Sequence, residues 1–262
     1  MSGKTKIWLC AAGFLVIIGL ILFTVAMSLY NWDFNKLSTV KHEINTHEIT
    51  EDFNELLINT TTSDIELVPS EDSSCKVICY ETDNINHSVL VIDNKLTINA
   101  NIQKNQFFNL NIGDMSIKIT IYLPIKEEMT LNINTTTGDL SFENLMIKKI
   151  NIKATTGDIY MKNISCDQLD LKLSTGKTTL SNVMVSGDFK YDATTGDLTF
   201  DSFDANNIYV EITTGDVSGT ILTAKIFNIQ TTTGKQEYPE SYTGGICKIS
   251  TTTGDVKLSF KK

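Results

Sequence analysis

The sequence predicts an all-β fold, a parallel β-helix or solenoid of about seven 19–20-residue coils, preceded by one transmembrane helix. Three observations predict it. A Thr-Thr-Gly-Asp motif keeps returning, apolar residues alternate between its copies, and an uncharged run of 24 residues comes before them all. The motif glycines are Gly138, Gly157, Gly176, Gly196, Gly215, Gly234 and Gly254, spaced 19 or 20 residues apart. A fixed period of that size marks a stack in which each repeat is one coil.

Residues 1–6 carry Lys4 and Lys6 and read as a cytoplasmic tail. The uncharged run, residues 7–30, reads as a transmembrane anchor. As a helix it spans ~36 Å, against roughly 30 Å of hydrocarbon. A cleaved secretory signal has a shorter apolar region, about 7–15 residues, so a retained anchor is expected. Lys36 and Lys41 nearly balance the charge across it, but the short positive tail is the harder piece to translocate, so the N-terminus is expected inside. Trp32 suits the membrane interface, and residues 31–50 read as a polar stalk.

Residues 51–128 read as an irregular β cap. The segment around Ile58 to Ile65 is a worn copy of the repeat, with Ser63 in the glycine place and Asp64 after it. Further strands are expected at residues 75–80, 88–92, 95–99 and 116–123, ended by Pro124. Terminal repeats must cover an open core, which gives such strands their task. His42, His47 and His87 fall at or before this region. They are expected to be solvated or locally bonded, because no Cys or carboxylate spacing accompanies them.

Residues 129–262 form the repeat array. Counted from each glycine, the seventh and fifth residues before it are apolar, as in Leu131 and Ile133 or Ile208 and Val210. The second and fourth after it repeat the pattern (Leu140 and Phe142, Leu198 and Phe200), and so do the seventh and ninth, ending with Leu222 and Ala224. Steps of two mean alternation within a strand, so each coil should hold roughly three short strands. Glycine at the corner permits positive φ. The following Asp can close the turn through its own side chain.

The chain has 262 residues and a net charge of −9, and all 22 of its basic residues are lysine. That balance argues against nucleic acid and against docking on anionic lipid. Asp139, Asp158, Asp197, Asp216 and Asp255 should line one edge, interrupted by Lys177 and Lys235. A calcium column is not expected there, because each coil supplies one carboxylate where calcium needs six to eight oxygens. A threonine face binding a repeating polymer, and a carbohydrate-active enzyme using the Asp row, are the alternatives to a non-enzymatic module. No Ser/His/Asp or Cys/His set can be placed from the sequence, so no catalytic, cofactor or metal residue is assigned and no cofactor is expected. Cys75, Cys79, Cys166 and Cys247 are expected to be buried thiols, too far apart in register to bridge. Lys257, Lys261 and Lys262 on the last coil would discourage edge pairing, which favours a monomer.

The apolar leader, the irregular β lead-in, the strand Ile119-Thr120-Ile121-Tyr122-Leu123-Pro124 and the repeated Thr-Thr-Gly-Asp coils together resemble a known family. This is the bacterial putative-adhesin family of unknown function with β-strand repeats, and the resemblance covers about residues 50–262. It implies a surface or cell-envelope protein attached to its membrane, with an unidentified partner. It carries over no catalytic residues.

Overall fold

The computed structural model describes residues 3–29, 31–32, 42–72, 74–82, 84–102, 117–124 and 128–261. Two compact units form, one from residues 1–42 and 104–115, the other from 43–103 and 116–262. In the first, α1 (Gly3–Leu29) is apolar and mostly exposed, apart from buried Met27 near its end. Its Thr24 hydroxyl bonds back to the Leu20 carbonyl at 3.0 Å, so even this polar group is satisfied within the helix. Length and composition suit a membrane span, and a signal sequence equally.

The second unit is one large, mixed, mostly parallel sheet of seventeen strands. Its lead-in strands are β1 (His42–Ile49), β2 (Glu55–Asn59), β3 (Asp64–Pro69), β4 (Cys75–Thr82), β5 (Ile85–Ile92), β6 (Lys95–Ile102) and β7 (Lys118–Leu123). β1 falls within the stretch read as a stalk. The strands β8 (Thr130–Thr137), β9 (Leu140–Thr156), β10 (Ile159–Thr175), β11 (Thr178–Thr195) and β12 (Leu198–Thr214) follow. The last five are β13 (Val217–Ile221), β14 (Lys225–Thr233), β15 (Gln236–Glu237), β16 (Gly245–Thr253) and β17 (Val256–Phe260).

From β8 to β12 each repeat pairs in parallel with the next, like position against like: Ile159 opposes Leu140 and Thr178, and Leu171 opposes Ile152 and Tyr191. The inward columns read from the sequence are buried in the main, and stacking like on like closes the core. A further inward column, three residues before each glycine, escaped the sequence reading; Thr135, Ala154, Leu173, Ala193, Ile212 and Thr251 fill it. One expected member moves: Ile221, not Leu222, opposes Phe203 and is fully buried. The pairing slips by one residue between Phe200 and Phe203, past Gly219. The extra residue of the 20-residue interval before Gly196 is absorbed as a bulge around Ser186 and Gly187, where the register also shifts.

A second bend lies six residues after each of the first four glycines, with Ser202 in the fourth copy. Asn144, Asn163 and Asn182 there take φ of 56°, 55° and 52°, the left-handed region that asparagine tolerates. Their amides form a ladder, Asn163 Nδ2 donating to Asn144 Oδ1 at 2.7 Å and Asn182 Nδ2 to Asn163 Oδ1 at 2.8 Å. The sequence reading missed this row, although its 19-residue spacing was visible.

Both ends of the array depart from chain order. The worn copy does stack under the first full repeat: Leu56 opposes Leu131 and Ile65 opposes Leu140. Its other side receives β6 and β7, with Leu56 opposite Leu96 and Ile65 opposite Ile119. β4 and β5 then run antiparallel to β7 and β6. At the far end, β16 lies between β12 and β14, so that Cys247 opposes both Ile208 and Phe227. β17 likewise lies between β13 and β15. The last repeat is thus inserted between its two predecessors. The reason is legible in the side chains. The Gly234 repeat places exposed Gln236 and Tyr238 at core positions, which suits an end, whereas the last repeat offers buried Cys247, Ile249, Val256 and Leu258. The lysines expected to guard the last edge therefore do not all lie on it, since Lys257 belongs to a strand paired on both sides.

Candidate functional site

The repeated corner is built by backbone crowding. A Cβ on Gly157 would lie 2.1 Å from the Gly138 carbonyl oxygen, and one on Gly254 would lie 1.9 Å from that of Gly215. Positive φ, 139° at Gly157, adds to the demand. The Asp after the glycine does not close its own turn, as the sequence suggested. Its Oδ1 accepts the backbone N–H of the next level: Asp139 from Asp158 at 2.8 Å, Asp158 from Lys177 at 2.7 Å, Asp197 from Asp216 at 2.9 Å. Asp64 of the worn copy starts the row by accepting from Asp139 at 2.9 Å. Because the last repeat is inserted, Asp216 accepts from Asp255 and Asp255 from Lys235, both at 2.7 Å. The spatial order is Asp64, Asp139, Asp158, Lys177, then Asp197, Asp216, Asp255, Lys235. Lys177 interrupts the row as expected, but Lys235 ends it instead of interrupting it. Carboxylates engaged in this way serve the fold, and the Thr residues beside them form a regular exposed row.

Between the corner and the preceding bend lies an outward face of mixed charge. Asp170 stands opposite Lys190 and Lys172 opposite Asp192, and Tyr209 and Glu211 continue the two columns. These six residues line a shallow groove. A checkerboard of this kind favours a neutral, hydrogen-bonding partner over one of strong single-sign charge.

The lead-in holds a buried polar cluster in which His87 is locally bonded, one of the two states the sequence led us to expect. β4 alternates inward at Cys75, Val77, Cys79 and Glu81, and the return strand β5 brings His87 against Glu81. His87 Nδ1 lies 3.0 Å from Glu81 Oε1, and its Nε2 lies 3.3 Å from Ser63 Oγ. The His87 backbone N–H and Asn45 Nδ2 also donate to Glu81. Cys79, Glu81 and His87 bring ligand-type atoms within 4.8 Å of one another. A carboxylate and a thiol do accompany this histidine, and the signal was the alternation Cys-x-Cys-x-Glu before it. His42 is described only as the first residue of β1. Burial lowers the His87 pKa, opposed by the bond to Glu81, and burial followed by the Glu81 charge pushes the Cys79 thiol up to about 12.

Ser63, His87 and Glu81 stand in the order of a nucleophile, base and orienting acid. Ser63 is only 2 % exposed, and Thr60 Oγ1 donates to its oxygen at 2.9 Å. A substrate carbonyl has no approach to it, so the row acts as an internal hydrogen-bond chain. At the other end, Lys225 Nζ and Asp204 Oδ1 form a buried pair at 2.8 Å where the chain crosses over the inserted repeat.

A mostly parallel β unit of stacked repeats, with an apolar helix at the amino end, defines the class to which this chain belongs. Residues 53–262 match the Toastrack DUF4097 family, and the chain is a member of it. A crystal structure of a putative adhesin from Bacteroides fragilis has a similar fold, with a TM-score of 0.51 at 17% identity, over 84% of this chain and 97% of that one. A putative cell adhesion protein from Clostridium sporogenes matches over 85% and 100% of the two chains, at 14% identity and a TM-score of 0.39. A putative lipid binding protein from Parabacteroides distasonis matches over 84% and 97%, at 17% identity and a TM-score of 0.44. No curated protein matches the chain.

Proposed function

We propose that this protein is a non-enzymatic, membrane-anchored β-solenoid of the bacterial cell envelope that binds a partner outside the cytoplasm, as an adhesin or envelope-associated module. In this reading residues 1–6 lie inside, 7–30 cross the membrane, 31–50 lead outward, 51–128 cap the solenoid and 129–262 form its coils. The observation that carries it is the pairing of every repeat with a neighbour at the same register, which presents fixed outward columns of threonine, lysine, aspartate and tyrosine. The Bacteroides fragilis relative of similar fold, a putative adhesin, points the same way. The Asp row favours structure over glycoside chemistry, since Asp139, Asp158, Asp197, Asp216 and Asp255 each accept, or stand in register to accept, a backbone N–H.

Capture from an envelope extract on the full-length protein tests the reading. A partner retained by the wild type should be lost from a Lys190→Glu, Tyr209→Ala double variant whose circular dichroism is unchanged. Equal retention by both, or resistance of the protein to protease added to intact cells after wall removal, would refute it.

A further inference from the structure

We propose that Cys79, Glu81 and His87, closed by His47, form a divalent-cation site of the zinc class that pins β1 and the β4–β5 pair to the worn first repeat. The three residues are buried, and their ligand atoms already lie within 4.8 Å of one another. A tetrahedral ion with metal–nitrogen and metal–oxygen bonds of about 2.0–2.1 Å needs those atoms about 3.3 Å apart. His87 Nδ1 and Glu81 Oε1, at 3.0 Å, nearly match that edge as they stand. The thiol has to close by at most about 1 Å, within reach of a small χ1 adjustment.

The fourth position has its own candidate. His47 lies two residues beyond Asn45 on β1, on the same strand face as the amide that holds Glu81. Its nitrogens stand outside the 4.8 Å group, so its ring has to swing in to complete the site. Its Nε2 is buried and has no hydrogen-bond partner among the described residues. A buried ring nitrogen with nothing to bond is costly unless something meets it.

The surroundings supply what a bound ion requires. With Nδ1 turned to the ion, the His87 Nε2–H points at Ser63 Oγ, the outer hydrogen bond that fixes a ligating imidazole. Asn45 Nδ2 and the His87 backbone N–H hold the Glu81 carboxylate. The donors around that carboxylate are an amide, a backbone N–H and an imidazole, none a fixed cation. One thiolate, one carboxylate and a doubly charged ion sum to zero in this buried place. Sulfur, nitrogen and oxygen together select zinc-like ions over calcium or magnesium. Four protein ligands leave no open position, so the site is structural.

Cobalt titrated into the chelator-treated, full-length protein in detergent micelles reports the site directly. One equivalent should produce a thiolate-to-cobalt charge-transfer band that zinc displaces. The band should be lost in Cys79→Ala, and cobalt should bind at least tenfold more weakly to His47→Gln. No band at tenfold excess cobalt, an undiminished band in Cys79→Ala, or unchanged affinity in His47→Gln would overturn the proposal. Should Cys79→Ala fail to fold, X-ray absorption of the zinc-loaded wild type decides. One sulfur at about 2.3 Å is expected, and a shell of nitrogen and oxygen alone would refute the site.

Discussion

Gly157 carries two demands at once, a φ of 139° and a neighbouring carbonyl oxygen 2.1 Å from where a Cβ would sit. Gly157→Ala should therefore destabilise the β unit by about 3 kcal/mol or prevent folding, as read by urea denaturation. Asp158 calls for a milder change. Its carboxylate accepts one N–H from the next level, so Asp158→Ala should cost about 1 kcal/mol, while Asp158→Asn, which keeps the oxygen, should cost less than half of that. Tyr191 runs the other way. Its hydroxyl is buried beside that of Thr178, which favours ionisation against the burial that opposes it, but the two do not meet in good hydrogen-bond geometry and neither finds another partner among the described residues. Tyr191→Phe keeps the ring beside Phe189 and should leave stability unchanged or raise it by up to about 1 kcal/mol in the same assay. Glycine, threonine and the inward columns were legible in the sequence because they repeat. The partner of Asp158 was not, since that bond joins successive levels of the stack; the Glu81–His87 contact, six residues apart, was within reach and went unread.

At the scale of elements, the strongest test concerns the inserted last repeat. In chain order, removing residues 245–262 would strip one outer layer and leave β14 paired. In the observed pairing, β14 and β15 meet the rest of the sheet through β16 and β17. A chain ending at Gly244 should therefore expose residues 225–237 to protease together with the new terminus, and hydrogen exchange there should approach that of an unfolded segment. Protection of residues 225–237 in the shortened chain would contradict this pairing. The weak core set of the Gly234 repeat was visible in the sequence, with Gln236 and Tyr238 where Leu140 and Phe142 stand in the first. Without the neighbours of each strand, that weakness reads as a worn repeat and not as a layer displaced to the end. The asparagine bend was legible in the same way and went unread, because attention to glycine hides a second residue type that also tolerates positive φ.

For the molecule as a whole, burial of cysteine sets an alkaline limit. Burial pushes the Cys166 and Cys247 thiols from 9.0 up to about 12, with the Asp167 charge adding to the first and Lys225 opposing the second. The unfolded chain loses these protons above about pH 9 while the folded chain keeps them. Stability is therefore complete below pH 9 and falls as pH rises toward 12, measurable as a declining thermal midpoint. At pH 8 about one such thiol in ten thousand is ionised, so alkylation of Cys166 and Cys247 should be slow in the native protein and rapid in denaturant. Rapid native labelling of both would overturn the inward register. The mostly β class, the repeat period and the membrane-length helix could all be read from the sequence. Surface chemistry could not, because a repeat that stacks well and a repeat that binds well use the same residues.

The insertion at the far end has a consequence for biogenesis. A polypeptide made from its amino end produces the outer layer before the one that belongs beneath it, so a nascent chain carries two unzipped edges until residues 245–260 have been added. A nonsense mutation in the codons for residues 245–260 would therefore act like a deletion from the middle of the sheet, and a reporter put in place of those residues should unseat the preceding repeat as well.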